Sequence, residues 1–296
     1  MKNRSKKSEL AIGVVLSYIS TCVSLLSTLL LTPIIIRLLG KSDYGLYETI
    51  GSFVNYLAIF DLGFSSVVTR YTAKYEAEND IHGRNQFLYT CRNIYRVLCL
   101  IILFLGILIF FNLDTLFSNS FTVGEMYKAR IMFLIVLATT MVSIYSQVYK
   151  GALTGVEKFV FPRVLTVIKT IMTKVVCILV LYMGADSVGY TLVLLIFEYI
   201  LFIMVKGFAR KFVSFEKNKP SVDRVKELFN FTFFIFIQAI VSQIFWQVDK
   251  LLLGMLIGTT SVAIYAVALN INNIIRNVSS ALRDVILPKA THIAIK

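Results

Sequence analysis

The sequence predicts an all-α, polytopic membrane protein. Of its 296 residues, 57% are hydrophobic and only 16% are charged, and the mean hydropathy is +0.76. A soluble core of this length could not bury so much apolar side chain. Eight stretches approach the roughly 20 apolar residues that a helix needs to cross a hydrocarbon core, and a segment of the first half recurs weakly in the second. We therefore expect a bundle of about eight spanning helices.

The eight predicted spans follow one another with short polar connections. They lie near residues 10–36, 45–69, 88–111, 131–150, 164–183, 188–205, 230–257 and 262–282. The first is 27 residues long and lacks a small-residue cleavage pattern, so it is interpreted as a spanning helix rather than a signal peptide.

Lysine and arginine are distributed unevenly between the two sides. If the amino terminus is cytoplasmic, 25 of the 30 cations fall on the inner side and five on the outer side. The positive-inside rule therefore predicts a cytoplasmic amino terminus and location in the cytoplasmic membrane. This placement also accounts for most of the net charge of +13 without a nucleic-acid partner.

The weak internal repeat has an offset of 218 positions. Leu38–Tyr47 recurs as Leu256–Tyr265, so that Gly40 matches Gly258 and Tyr47 matches Tyr265. Six helices separate the copies, and both copies therefore run in the same direction through the membrane. Parallel repeats of this kind are typical of transporters built from duplicated bundles.

These patterns predict three domains. Residues 1–205 form a six-helix lobe, 206–229 form a cytoplasmic linker with an amphipathic helix, and 230–296 contain the first two helices of a second, incomplete lobe. Ser221, which follows Pro220, is predicted to be the N-cap of the linker helix.

Two ionisable residues are expected near the middle of the membrane, Lys174 in the fifth span and Glu198 in the sixth. Charges at that depth are costly and usually face a partner or a cavity. We favour a structural ion pair between them. The alternative is that one of them faces a central cavity and takes part in transport.

Asp249, Lys250 and Trp246 lie about two thirds of the way through the seventh span. A lysine can hold a pyrophosphate, and an indole ring can stack on a sugar face. The alternative is that the two charges mark the wet outer end of a shorter helix. The apolar run 251–257 that follows them favours the substrate-binding interpretation slightly.

The eighth span carries a polar face, next to Arg276. Its members are Asn270, Asn273, Asn277, Ser280 and Asp284. A polar face on a spanning helix should line water or another helix. Asn55 occupies the position in the second span that matches Asn273, and Arg70 lies at the inner end of the same span, where it either contacts a headgroup or enforces topology.

The sequence offers little for catalysis. His82 and His292 are the only histidines, and we find no nucleophile elbow, phosphate-binding glycine loop or metal-binding cluster. The four cysteines stand singly in or beside apolar runs and are interpreted as small hydrophobic residues. We predict that the protein is not an enzyme and has no cofactor.

Several short elements, in this order, resemble the polysaccharide and oligosaccharide flippases of the Wzx type. The matching elements are Arg37–Gly40, Tyr44–Tyr47, Asp61–Gly63, Gly151–Gly155 with Lys158 and Phe159, Asp249–Gly254 and Tyr265. The wider superfamily also holds multidrug and toxin extruders and lipid II flippases. Its members have a dozen or more helices, whereas this sequence contains about eight, and we expect a fragment, a truncated product or a protein that needs a second chain.

The resemblance implies translocation of undecaprenyl-pyrophosphate-linked repeat units for surface polysaccharide biosynthesis, by rocking of two lobes around a cationic cavity. Expected partners are the lipid-linked oligosaccharide, membrane lipids, and a glycan polymerase or glycosyltransferases. An ion gradient could act through carboxylates such as Asp61 or Glu198. The alternatives are a multidrug or cation extruder of the same superfamily, a non-transporting scaffold for glycan assembly and, more weakly, a glycan polymerase.

Overall fold

The computed structural model describes residues 2–57, 64–118, 120–158 and 160–216, together with parts of 237–276. Within these ranges the regular secondary structure is α-helical, which confirms the all-α fold class. The helices are α1 (Lys2–Leu39), α2 (Lys41–Leu57), α3 (Phe64–Ala77), α4 (Ile81–Phe117), α5 (Val123–Gly155), α6 (Val160–Tyr182) and α7 (Ser187–Ala209). Two later helical stretches, 248–256 and 259–273, are called α8 and α9.

The bundle has two ends, which we name after a residue at each. At the Gly40 end α1, α4, α6 and α8 finish and α2, α5, α7 and α9 begin. At the Asp80 end α3, α5 and α7 finish and α4 and α6 begin.

Five of the described helices are long and apolar enough to cross a membrane. They cover Ile19–Leu39, Ile81–Phe117, Val123–Gly155, Val160–Tyr182 and Ser187–Ala209, and they confirm the spans predicted near 10–36, 88–111, 131–150, 164–183 and 188–205. The predicted span 45–69 corresponds to α2 and α3, which flank residues 58–63, outside the described part of the chain. The spans predicted near 230–257 and 262–282 are described only in part.

Polar caps, rather than the limits of apolar sequence, decide where several helices begin. Asp80 accepts a hydrogen bond from the backbone N–H of Gly83 at 2.7 Å and starts α4 seven residues before the apolar run predicted from 88. Thr122 and Glu125 form a reciprocal capping box that starts α5. These two helices are therefore 37 and 33 residues long, longer than a membrane span requires.

The two glycines matched by the repeat adopt the same special conformation. Gly40 ends α1 with φ +82°, and Gly258 ends α8 with φ +116°. The left-handed region is accessible to glycine at little cost, and a glycine there allows a sharp turn after a helix. Both copies of the repeat therefore mark a helix-to-helix turn at the Gly40 end.

The core is centred on α5, which packs against α2, α3, α4 and α7, while α1 packs mainly on α6. Large side chains fill it, including Phe64 and Tyr95, whose rings meet edge to face at 6.2 Å between centroids. The outward faces of the long helices also carry large apolar side chains, among them Phe104 and Phe111 on α4. An apolar exterior over helices of this length is that of a multi-pass membrane protein.

The segment after α7 is fastened to the Asp80 end of the bundle. We call residues 210–216 the linker strap. Arg84, which is buried, donates to the carbonyl of Phe212 at 3.2 Å and also pairs with Glu76. Glu216 accepts hydrogen bonds from Asn85 at 2.8 Å and from His82 at 3.0 Å. The strap is part of the predicted linker 206–229, whose first four residues belong to α7. The amphipathic helix predicted near 221–229 lies outside the described residues.

Candidate functional site

The site is built where α2 meets α8 and the start of α9. Two glycines allow the close approach. A Cβ on Gly45 would lie 1.8 Å from the carbonyl oxygen of Thr259, and a Cβ on Gly254 would lie 2.5 Å from the Cγ2 of Thr49. A side chain at either glycine would push these elements apart. The helices run in opposite directions, since α2 starts at the Gly40 end and α8 finishes there.

One ion pair crosses this contact. The Lys250 ammonium on α8 donates to the Glu48 carboxylate on α2, with 2.6 Å between Nζ and Oε2. Each of the two side chains is only 15% exposed. The other Glu48 oxygen accepts from the hydroxyl of Tyr44 at 2.9 Å. The predicted substrate residue Lys250 is thus held by a carboxylate that is itself positioned from one helical turn earlier.

A second polar contact closes the Gly40 end above the ion pair. One carboxylate oxygen of Glu125, at the start of α5, accepts from the hydroxyl of Ser42 on α2 and from that of Thr259 on α9, the latter at 2.9 Å. The other oxygen completes the capping box with Thr122. We call Ser42, Glu125 and Thr259 the Gly40-end cluster. It ties α9 to both α2 and α5 through one carboxylate.

A neighbouring ion pair joins only elements of α1–α7. Lys128 on α5 donates to Asp43 on α2 at 2.7 Å, and Ser187 at the start of α7 donates to the same carboxylate oxygen at 3.0 Å. This pair resembles the Glu48–Lys250 pair in type and position but does not reach α8 or α9. It therefore offers a matched comparison for experiments on the α2–α8 contact.

The predicted pairing of Lys174 with Glu198 is wrong. Glu198, which is buried on α7, accepts from Lys169 of α6 at 2.7 Å. Lys169 and Lys174 are five residues apart on one helix, which separates them by about 7.5 Å along the axis and about 140° around it. Only one of them can face α7 at that depth. Lys174 instead lies close enough to Glu48 to interact with it electrostatically.

Trp246 and Arg276 are brought together. The Arg276 guanidinium lies 3.7 Å from the centroid of the indole ring. This cation–π contact joins a residue just before α8 to a residue just after α9. Arg276 is exposed, as is Asn273, whose side-chain oxygen is 3.5 Å from an Arg276 nitrogen. Asp249 points elsewhere and accepts from the hydroxyl of Tyr265.

The remaining predicted residues lie outside this arrangement or outside the described part of the chain. Arg70 is an exposed residue of α3. Asn55 belongs to α2, but its side chain is not described, and Asp61 lies outside the described residues. Of the predicted polar face on the eighth span, Asn277, Ser280 and Asp284 also lie outside them.

A mostly apolar crevice of about 360 Å³ separates α1 from α9. Thr28, Thr32 and Pro33 are among its residues on α1, and Val267 and Asn270 are among those on α9. The crevice and the site share α9, whose first residue, Thr259, belongs to the Gly40-end cluster.

Sequence reasoning missed the partners of the site. Glu48, Ser42, Glu125 and Thr259 are not among the residues that it selects. A usable signal did exist for Glu48. It lies in a predicted span and is followed by an apolar stretch, and a carboxylate in that setting requires a cation such as Lys250. No sequence signal places Thr259 opposite Glu125, which are 134 residues apart.

Comparison with solved structures finds the same fold in transporters. The structure titled as the outward-facing conformation of a multidrug resistance MATE family transporter of the MOP superfamily gives a TM-score of 0.65 at 17% identity, covering 91% of this chain and 60% of the other. The lipid II flippase MurJ in an inward closed conformation gives 0.63 at 16% identity, covering 89% and 55%. The structure titled as the inward-facing MATE family transporter gives 0.60 at 15%, covering 79% and 56%.

The chain therefore spans a little over half the length of these structures. Comparison with curated proteins finds no match. The sequence model of the polysaccharide biosynthesis protein family matches residues 10–293, which is nearly the whole sequence. Together with the helical bundle and its turn glycines, this match shows that the chain belongs to the polysaccharide biosynthesis protein family.

Proposed function

We propose that the chain belongs to a flippase that translocates anionic, lipid-linked oligosaccharides, with an undecaprenyl-pyrophosphate carrier, for surface polysaccharide biosynthesis. The observation that supports this best is the Glu48–Lys250 pair. It places a largely buried ammonium group at a contact between α2 and α8, beneath the Gly40-end cluster. A lysine in that setting can exchange one anionic partner for another.

In this proposal α1–α7 form one lobe and α8 and α9 begin a second lobe. The Gly40 end faces the outside of the cytoplasmic membrane and the amino terminus faces the cytoplasm, as the lysine and arginine distribution predicts. The described contacts then close the outer side of the site. A substrate reaches Lys250 from the Asp80 end, which faces the inner leaflet.

The proposed step is an exchange of partners at Lys250. A pyrophosphate offers several charged acceptor oxygens, and hydrogen bonds between charged groups are the stronger ones in proteins. When Lys250 turns from the Glu48 carboxylate to the pyrophosphate, α2 loses its ionic contact with α8. The Glu48 carboxylate keeps the Tyr44 hydroxyl and lies near Lys174. Binding of the anion therefore weakens the contact that closes the outer side.

Two further features suit a glycolipid. The contact between the exposed Arg276 and the partly covered Trp246 places a guanidinium beside an indole ring, which is suited to a sugar with a neighbouring phosphate. The crevice between α1 and α9 is mostly apolar and can hold the first isoprene units of the carrier. The oligosaccharide would then cross between the lobes while the chain of the lipid stays at their edge.

The protein acts in this proposal as a carrier and not as an enzyme, together with the polymerase or glycosyltransferases that use or make its substrate. The extruder hypothesis needs a dominantly acidic site. Here the site carboxylate Glu48 has one cation bound to it and a second nearby, Lys250 and Lys174, and this favours an anionic substrate. The scaffold hypothesis requires no ligand at Lys250.

The test is binding of undecaprenyl pyrophosphate and of undecaprenol to the purified chain, followed by native mass spectrometry. We expect the pyrophosphate to bind about ten- to a hundredfold more tightly, the range for hydrogen bonds to charged groups. Lys250→Met should abolish that preference, and Lys128→Met, which breaks the neighbouring pair with Asp43, should retain it. Equal binding of both lipids would refute the proposal, and preferential binding of tetraphenylphosphonium would support the extruder instead.

A further inference from the structure

A second, separate groove lies at the Asp80 end, between the start of α6 and the end of α7. Its volume is about 480 Å³, within the range of about 300–1,000 Å³ usual for ligand sites. It is lined by Glu157, Lys158, Val160, Phe161, Val164, Phe208 and Phe212. None of these residues belongs to the α2–α8 site, and of them only Lys158 is part of an element that carries the family resemblance.

Aromatic rings form the walls. Phe161 stacks on Phe208 with 4.1 Å between ring centroids, and Phe208 contacts Phe212 at 5.0 Å. The Phe212 side chain is nevertheless exposed, and Phe161 and Val164 are only partly covered. The groove is thus an apolar surface, walled by aromatic rings, that the described part of the chain leaves open.

The two chain segments that form this apolar surface are rich in lysine and arginine. The Lys158 ammonium lies 5.9 Å from the centroid of the Phe212 ring, at the edge of the groove. The two segments that form the groove, 157–163 and 206–212, contain five cations and one carboxylate: Lys158, Arg163, Lys206, Arg210, Lys211 and Glu157. Arg210 and Lys211 are exposed immediately before Phe212. An anion with an apolar tail complements both parts of the surface.

We propose that this groove is a binding site for an anionic phospholipid of the leaflet at the Asp80 end. An acyl chain lies against Phe161, Phe208 and Phe212, and the phosphate lies between Lys158 and Lys211. Basic pockets between spanning helices are suited to anionic lipid headgroups, and each nearby lysine or arginine strengthens such binding about fivefold. The bound lipid is a resident of the bilayer, so this site does not depend on the translocation proposed above.

The experiment compares phosphatidylglycerol with phosphatidylcholine on the purified full chain, by native mass spectrometry after stepwise delipidation. We expect the chain to retain phosphatidylglycerol preferentially. Lys158→Ala combined with Lys211→Ala should weaken phosphatidylglycerol about 25-fold, the product of two fivefold effects, and leave phosphatidylcholine unchanged. Val164→Trp, which fills the groove and keeps every charge, should weaken both lipids.

The matched control is Lys74→Ala, which removes an exposed cation from α3 at the same end of the bundle. It should leave phosphatidylglycerol binding unchanged. An equal loss in this control would show diffuse attraction to net charge and overturn the proposal. Unchanged phosphatidylglycerol binding in Val164→Trp, with competition by inorganic phosphate, would also overturn it, because the groove would then hold a free anion. Each variant is accepted only if its circular dichroism and elution profile match the parent, and the charge and groove variants test the site independently.

Discussion

Replacing Lys250 by methionine should open the Gly40 end. The substitution keeps the length of the side chain but leaves the Glu48 carboxylate without its ionic partner at 2.6 Å. Removing one member of a buried pair costs about 3–5 kcal/mol. Because both side chains are 15% exposed, water relieves part of that cost, and we take the lower value of about 3 kcal/mol. At about 1.4 kcal/mol per tenfold, the fraction of molecules with this contact open rises about 100-fold.

The assay measures access to a cysteine placed behind the contact. Ala263 on α9 is 2% exposed, so Ala263→Cys reports opening, in a background where the exposed Cys22 is replaced by serine. The rate of labelling by a membrane-impermeant maleimide should rise about 100-fold in Lys250→Met, in proportion to the open fraction. Lys128→Met breaks a pair of similar geometry within α1–α7 and should change the rate little.

Two outcomes would refute this reasoning. The first is labelling of Lys250→Met at the parental rate, which would mean that the ion pair does not hold α8 against α2. The second is an equal increase in Lys128→Met, which would show that any loss of charge near the Gly40 end loosens the bundle.

Glu48→Gln combined with Lys250→Met should label no faster than the single Lys250 variant, because the unpaired buried carboxylate has then been removed.

Three further predictions concern other contacts. Gly45→Ala places a methyl group against a backbone carbonyl at the start of α9, and it should raise the rate at which Ala263→Cys is labelled. An unchanged labelling rate would show that the helices adjust to the methyl group without opening. Lys169→Met should lower the thermal midpoint of the purified protein by leaving Glu198 buried and unpaired, and Glu198→Gln on the same background should restore part of it. Hydrogen bonds from Asn85 and His82 hold the pKa of Glu216 below its ordinary value. The stability that these bonds give the linker strap should therefore be complete above the ordinary glutamate pKa and be lost as the pH falls through the lowered pKa. Hydrogen exchange of residues 210–216 as a function of pH measures this, and protection that does not change with pH would contradict it.

The fold class and five spans could be predicted from sequence because hydropathy over 20 residues is a strong signal. The helix limits could not. Asp80 and Thr122 each start a helix well before the apolar run, because a side-chain cap satisfies backbone N–H groups in water as well as in lipid. A hydropathy average over 20 residues does not reveal a single capping side chain. The repeat was a better guide, since Gly40 and Gly258 occupy equivalent turns.

Sequence reasoning selects Lys250 as a cation able to hold a pyrophosphate, but it does not predict the partner that the structure shows. That partner is Glu48, which lies 202 residues away. For Glu198, the expectation that a charge deep in the membrane has a charged partner gave the wrong lysine. Lys169 and Lys174 are five residues apart on α6, and the direction around the helix axis decides which of them faces α7. That direction depends on the packing of α6 against α1 and α7, which one sequence does not reveal.

The 218-residue offset of the repeat relates two places in the bundle, the α2–α8 contact and the crevice between α1 and α9. Counted by that offset, Thr49, Lys250 and Gly254 of the α2–α8 contact correspond to Val267, Thr32 and Ile36. These counterparts all line the crevice between α1 and α9. The repeat predicted from the sequence would make these two contacts equivalent, yet one is joined by an ion pair over a glycine and the other, among the described residues, is a mostly apolar crevice. The predicted duplication would thus pair a contact held by charge with one that depends on apolar packing alone.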